Sequence, residues 1–353
     1  METSIITIAG IFFICFSVSF IVLNILIKNK VQNGKINEGI FPYFFPIICG
    51  VIVFTNQFVS TKDFLFPLFN IEQIGIIFLT IGIYLLAQKN HKNKYNFICI
   101  LISYGILIEY LPKEYFIQFS EYPTELIKIA LIIILSLFCF CFQYLNGIDG
   151  IVSIQFITTS IGIFLLSLLG GVPQALGLIG LSITSIFLAF LSFNLSPARI
   201  NMDSASCLSF GFIISWLIFR SSLEGSSSCI ISYNMFYLYT ILEGFIKIIY
   251  TQQTSLMQNT NYVQAWIKGL PSQDIYRNIY RISLFLLIIG TFQLYAPNQY
   301  SIPLLSFITV AWFSNNLRNW DKDSPNYKEI HKEAIKELKN NINEIKNNLR
   351  KDD

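Results

Sequence analysis

Residues 127–171 read IKIALIIILSLFCFCFQYLNGIDGIVSIQFITTSIGIFLLSLLGG. An apolar run of about 20 residues, the length that crosses a bilayer as a helix, gives way to Asn146, Gly147, Asp149 and Gly150, and a second such run follows. Two apolar spans joined by a short polar loop decide the fold class, because the same pattern recurs along the chain. Of the 353 residues, 54% are hydrophobic and only 13% charged, with mean hydropathy +0.57. A soluble domain carries about 25% charged residues. The sequence therefore predicts an all-α, polytopic membrane protein. The spans fall near 5–27, 40–59, 70–87, 95–111, 126–145, 150–170, 173–194, 206–219, 228–250, 280–295 and 300–316, roughly 10–11 transmembrane helices. The first run is too long for a signal-peptide core and has no small-residue cleavage site after it, so it reads as a retained helix.

Charge alternates between the connections. Lys28, Lys30 and Lys35 lie in the first, Lys89, Lys92 and Lys94 in the third, Arg199 in the seventh, and Lys268, Arg277 and Arg281 in the ninth. The fourth carries Glu109, Glu114, Glu121 and Glu125. Cytoplasmic loops are enriched in Lys and Arg. The odd connections and the C-terminus are thus expected in the cytoplasm and the N-terminus outside. The chain divides into 1–316, the membrane domain, and 317–353, a cytoplasmic charged tail. In that tail Ile335, Leu338, Ile342, Ile345 and Leu349 recur at heptad spacing. The tail reads as an amphipathic helix lying on the membrane or the protein, or as a short coiled coil with a partner or a second copy.

The seven cysteines form no CxxC or Cys/His cluster, and only His91 and His331 are present, so neither structural zinc nor a redox centre is indicated. Nothing points to nucleic acid. Ionisable residues inside spans mark transport pathways. They are few here, chiefly Glu243 and Lys247, four apart and able to pair on one helix face.

Two constellations carry the chemistry. In FQYLNGIDG, Asn146 and Asp149 stand beside Gly147 and Gly150, where glycine lets backbone approach a ligand. In FNLSPARINMDSASCLSFGF, residues 193–212, Asn194 precedes Pro197, Arg199, Asp203 and Ser204. Asp before Ser at a helix start is a good N-cap and a good phosphate or metal neighbourhood. Each stretch alone also reads as an ordinary polar turn. By the charge pattern both lie on the cytoplasmic face, and Asn146, Asp149, Asn194 and Asp203 are expected to converge on one cleft.

Together the two segments resemble those of the polyprenyl-phosphate N-acetylhexosamine-1-phosphate transferase family. Its N-F-M-D-G-I-D-G-I motif is similar to QYLNGIDGI from Gln143 to Ile151, and its F-N-x-x-P-A-R/K-I-F-M-G-D-S-G-S-L motif to FNLSPARINMDSASCL from Phe193 to Leu208. The resemblance implies ten or eleven spans in a bacterial plasma membrane. It also implies transfer of a sugar phosphate from a UDP-N-acetylhexosamine to undecaprenyl phosphate with release of UMP, aided by Mg2+. It makes Asn146, Gly147, Asp149, Asn194 and Arg199 nucleotide-sugar-binding and Asp203 the candidate metal ligand.

The departures bear on catalysis. Leu85 and Leu86, in GIYLLAQKNHKNKYNF, stand where the family has an Asp-Asp pair, and no acidic residue lies between Glu72 and Glu109. Read without a gap, Ser204 falls on the family's metal-binding Asp. Asn201 replaces an aromatic residue, and the late histidine segment becomes QAWIKGLPSQ, 264–273. Magnesium requires hard oxygen ligands, and each lost electrostatic contact of this kind lowers the rate about a hundredfold. The expectation is a divergent, catalytically impaired member of the family in cell-envelope lipid-intermediate synthesis. The alternatives are a non-enzymatic lipid-binding or assembly subunit on the same fold and an unrelated transporter.

Overall fold

The computed structural model describes residues 5–33, 44–46, 71–89, 93–111, 123–146, 148–195, 198–225, 238–244, 261–267, 269–296 and 301–319. Every regular element among them is helical: α1 Ile5–Asn33, α2 Ile71–Lys89, α3 Asn93–Glu109, α4 Thr124–Leu145, α5 Ile151–Leu168, α6 Gln174–Asn194, α7 Ser204–Glu224, α8 Asn261–Ile267, α9 Ser272–Gln293 and α10 Ser301–Asn319, with residues 238–244 forming a further helical stretch. Six of these helices, α1, α4, α5, α6, α7 and α9, are long and apolar enough to cross a membrane, and α2 and α3 contain shorter apolar segments. The chain is an all-α, multi-pass membrane protein. The expected span 40–59 lies almost wholly, and 228–250 largely, outside the described residues, as does most of the tail.

A helix is the natural outcome of these runs because lipid offers no partner for backbone N–H and C=O groups, so each segment must satisfy its own. The centre is built from α5, α6 and α7, whose apolar windows are 72%, 72% and 83% buried, against 22% for α1 and 39% for α9. Helix α1 lies on α6, α9 on α5, and α2 and α4 on α7. Phe142, Phe156, Phe187 and Phe210 join four helices in one buried aromatic cluster, with ring centroids 4.4 Å apart for 142–156, 4.6 Å for 156–187 and 5.0 Å for 187–210. Outward-facing side chains such as Phe13, Ile14, Leu304, Leu305 and Trp312 are apolar, as a lipid-facing exterior requires.

Burying apolar surface does not drive helix association in lipid, so small residues and interhelical hydrogen bonds take over. The α5–α6 pair shows both. A Cβ on Gly180 would stand 2.7 Å from the Ser160 carbonyl, and one on Gly177 2.3 Å from Ser167 Cβ. The Ser160 and Thr184 hydroxyls bond at 2.8 Å.

Two sequence expectations are corrected. The ninth connection was to hold Arg277 and Arg281, with a span starting near 280. Instead α9 begins at Ser272 and carries both arginines, exposed, with Arg277 3.3 Å from Asp274. Both arginines are exposed on the helix surface, where long cationic side chains can keep their charged ends solvated. Likewise α7 runs to Glu224 rather than 219, ending on an Arg220–Glu224 ion pair.

Candidate functional site

Helices α4 and α6 end, and α5 and α7 begin, at one end of the bundle, so loops 146–150 and 195–203 lie side by side. The hydrogen bonds show how they are joined. Asn194, only 3% exposed, accepts from Gly150 N at 2.9 Å and from Ser153 Oγ at 2.9 Å, and donates to the Ile200 carbonyl at 3.0 Å. One amide thus ties the last turn of α6 to the first turn of α5 and closes its own loop. The Phe193 carbonyl reinforces that closure, accepting from Arg199 N at 2.8 Å and Ile200 N at 3.2 Å. Asn146 Nδ2 donates to the Met202 carbonyl at 2.8 Å, Gln143 Nε2 to Ser204 Oγ at 2.6 Å, and Ala198 N to Asp149 Oδ2 at 3.4 Å.

Gly150 is required where it stands. Its φ is +81°, and a Cβ there would meet Leu195 Cδ2 at 3.3 Å and the Asn194 carbonyl at 3.5 Å. An L side chain resists that conformation by about 1–2 kcal/mol. Glycine therefore lets the chain turn from the loop into α5 while offering its N–H to Asn194.

Between the loops lies a cavity of about 200 Å³ lined by Asn146, Ile148, Asp149, Gly150, Val152, Asn194, Asn201 and Met202. One water needs about 10–15 Å³ of such space, so the cavity has room for several waters or a ring-sized group. Its polar lining consists of amides and one carboxylate, and no basic side chain lines it among the described residues. Hydroxyl and amide groups match such a wall better than bare anions do.

The expected convergence is therefore found for Asn146, Asp149 and Asn194. Arg199 does not line the cavity; its side chain is exposed and only its backbone closes the loop. Gly147 lies outside the described residues. Asp203 occupies the N-cap position of α7, but the expected cap is absent: its side chain makes no capping hydrogen bond. Its Oδ1 is buried with no hydrogen-bond partner among the described residues. Asn194, expected to contact ligand, has its oxygen occupied by two donors, which makes it first a tie between loops.

Ile148, Val152, Asn201 and Met202 join the lining without having been singled out for it. For Ile148, Val152 and Met202 the only signal was adjacency to the polar loop residues. Ser153 was also missed; a small polar residue one turn into an apolar helix was its only mark.

A dication held by these residues would find the Asp149 carboxylate, bonded to Ala198, and one unpartnered oxygen on Asp203. At the end of α2, Leu85 and Leu86 are 50% and 42% exposed and offer no oxygen. No group of three or more His, Cys, Asp or Glu side chains arranged for a metal occurs among the described residues. This donor set does not fit a Mg2+ ion neutralising a pyrophosphate. No family model matches the sequence, and no curated protein matches it.

Proposed function

We propose that the chain is a divergent, catalytically impaired member of the polyprenyl-phosphate N-acetylhexosamine-1-phosphate transferase family, keeping a nucleotide-sugar pocket at the cytoplasmic face of a bacterial plasma membrane. The observation that carries this reading is the joining of the two motif loops through Asn194 around one cavity. A buried amide shared across 44 residues fits two motif loops that form one site. In this reading Asp149 accepts hydrogen bonds from the nucleotide or sugar, and Asn146 and Asn201 read its polar edge. Phosphoryl transfer depends almost wholly on positioning and charge neutralisation, and the second of these lacks its donors.

The test is release of UMP from UDP-N-acetylhexosamines with undecaprenyl phosphate and magnesium, using purified protein in detergent beside the Leu85→Asp/Leu86→Asp double variant. No turnover is expected from the unaltered protein, while UMP binds and Asp149→Asn weakens that binding about tenfold, the loss of one charge-assisted hydrogen bond. Turnover by the unaltered protein would overturn the impairment, and absence of UMP binding would overturn the pocket assignment. The heptad seam of residues 335–349 supports a second reading, a non-enzymatic lipid-binding or assembly subunit. That reading predicts a complex that dissociates when the tail after Asn319 is removed.

Sidedness belongs to the same proposal. Reporter fusions after Lys92 and after Asp353 are both expected to report the cytoplasm, because Lys-rich connections stay inside. A periplasmic signal at either would detach the pocket from cytoplasmic nucleotide.

A further inference from the structure

The stretch 238–244 is fastened on several sides. Gly244 lies so near α4 that a Cβ would stand 2.7 Å from Cys141 Sγ and 2.9 Å from Cys141 Cα. Thr240 donates to Gln155 Oε1 of α5 at 3.0 Å, and Gln155 Nε2 donates to Ser283 Oγ of α9 at 2.9 Å. Glu243 is fully buried. One of its oxygens accepts from Ser314 Oγ of α10. The other accepts from the backbone N of Asn261, the first residue of α8, at 3.0 Å. Asn261 Nδ2 completes the triangle by donating to Ser314 Oγ at 2.7 Å. The expected partner, Lys247, lies outside the described residues.

The next residue carries the connection to the pocket. Tyr262, fully buried, donates its hydroxyl to the Leu145 carbonyl at 2.5 Å. Leu145 ends α4 and immediately precedes Asn146. Carbonyls in the last turn of a helix have no intrahelical partner, so Tyr262 supplies one where the chain leaves α4 for the pocket loop.

We propose that Glu243 is a positioning residue of the candidate pocket: by holding Asn261 it sets Tyr262 against the Leu145 carbonyl and so fixes the start of loop 146–150. The contact chain stands on geometry; its consequence for nucleotide binding rests on the function proposed above. Glu243 is suited to the role because its two carboxylate oxygens accept from two different helices at once. Alanine would leave the Asn261 N–H and the Ser314 hydroxyl without that acceptor. Glutamine can keep its carbonyl on Asn261 N and offer its NH2 to Ser314 Oγ, which has a lone pair to accept it.

The experiment is hydrogen exchange on the full chain in detergent, with UMP titration beside it, for the unaltered protein, Glu243→Ala, Glu243→Gln and Tyr262→Phe. The amides of Asn146 and Gly150 are the reporters, because they donate to the Gln143 carbonyl and to Asn194 Oδ1. In Glu243→Ala and Tyr262→Phe both amides are expected to exchange about tenfold faster, and UMP to bind about tenfold more weakly. Glu243→Gln is expected to stay near the unaltered protein in both. Faster exchange confined to residues 261–270, or raised equally along the chain, would overturn the proposal by reducing Glu243 to a local cap or a general stabiliser. Should Glu243→Ala fail to fold, Ser314→Ala, which removes one donor from the carboxylate, is read in its place by the same criteria. If the exchange pattern holds while no protein binds UMP, the positioning role stands and the nucleotide assignment falls.

Discussion

Asn194→Ala is expected to destabilise the protein by about 3–5 kcal/mol, since each buried polar group left unpaired costs about 1–3 kcal/mol. Three groups lose their partner at once: Gly150 N, Ser153 Oγ and the Ile200 carbonyl. All belong to a buried site, and solvent entering from the neighbouring cavity offsets part of the loss, which sets the upper end of the range. Denaturant unfolding in mixed micelles, followed by circular dichroism, measures it. Asn194→Asp separates the contributions. It keeps an acceptor for Gly150 and Ser153, loses the donor to Ile200 and adds a buried charge, so it should fall between alanine and the unaltered protein. A loss below about 1 kcal/mol for alanine, the worth of one ordinary hydrogen bond, would show that other contacts hold the loops together. The site is affected directly, because Asn194 both lines the cavity and joins the end of α6 to the start of α5.

Gly180→Val is expected to cost about 3 kcal/mol, at the upper end of what overpacking does in a close-packed interior. The first added carbon would stand 2.7 Å from the Ser160 carbonyl and 3.5 Å from Ile163 Cβ. A backbone carbonyl within a helix cannot turn aside without losing its own hydrogen bond, so the two helices must separate. The Ser160–Thr184 hydroxyl pair, one turn along, opens with them. Gly82→Ala is the matched control, because nothing lies within 4 Å of a Cβ there. It should be neutral or raise stability by about 0.5–1 kcal/mol, the ordinary benefit of alanine over glycine in a helix. Equal effects at the two positions would show that α5 and α6 are not closely packed. Gly180 lies 14 residues before Asn194, about 21 Å along the helix at 1.5 Å per residue. Loss of UMP binding in Gly180→Val would therefore show that the pocket depends on the whole α5–α6 contact rather than on its end alone.

How much of this was legible beforehand follows from the range of each signal. Helix existence was legible because apolar length and the need for internal backbone hydrogen bonding are properties of each segment. Helix ends were less so. Hydropathy registers only the apolar part of a helix, while α9 also includes Arg277 and Arg281. The loops bearing Asn146, Asp149 and Asn194 stood out because polar residues interrupt apolar runs. Their neighbours in the cavity, Ile148, Val152 and Met202, are indistinguishable by type from the apolar residues around them.

By itself, then, the sequence determined that this chain is an all-α membrane protein whose polar chemistry is concentrated in a few short interruptions. The long-range side-chain partnerships were decided by tertiary structure alone. Asn194 finds Gly150 across 44 residues, Glu243 finds Ser314 across 71, and Tyr262 finds Leu145 across 117. Spacing along the chain favoured an N-cap role for Asp203, whose side chain makes no capping hydrogen bond, because local rules see only neighbours within a turn. The folded bundle brings together groups from helices remote in sequence. Where water is excluded, a buried carboxylate or amide takes whatever donors and acceptors that packing places beside it.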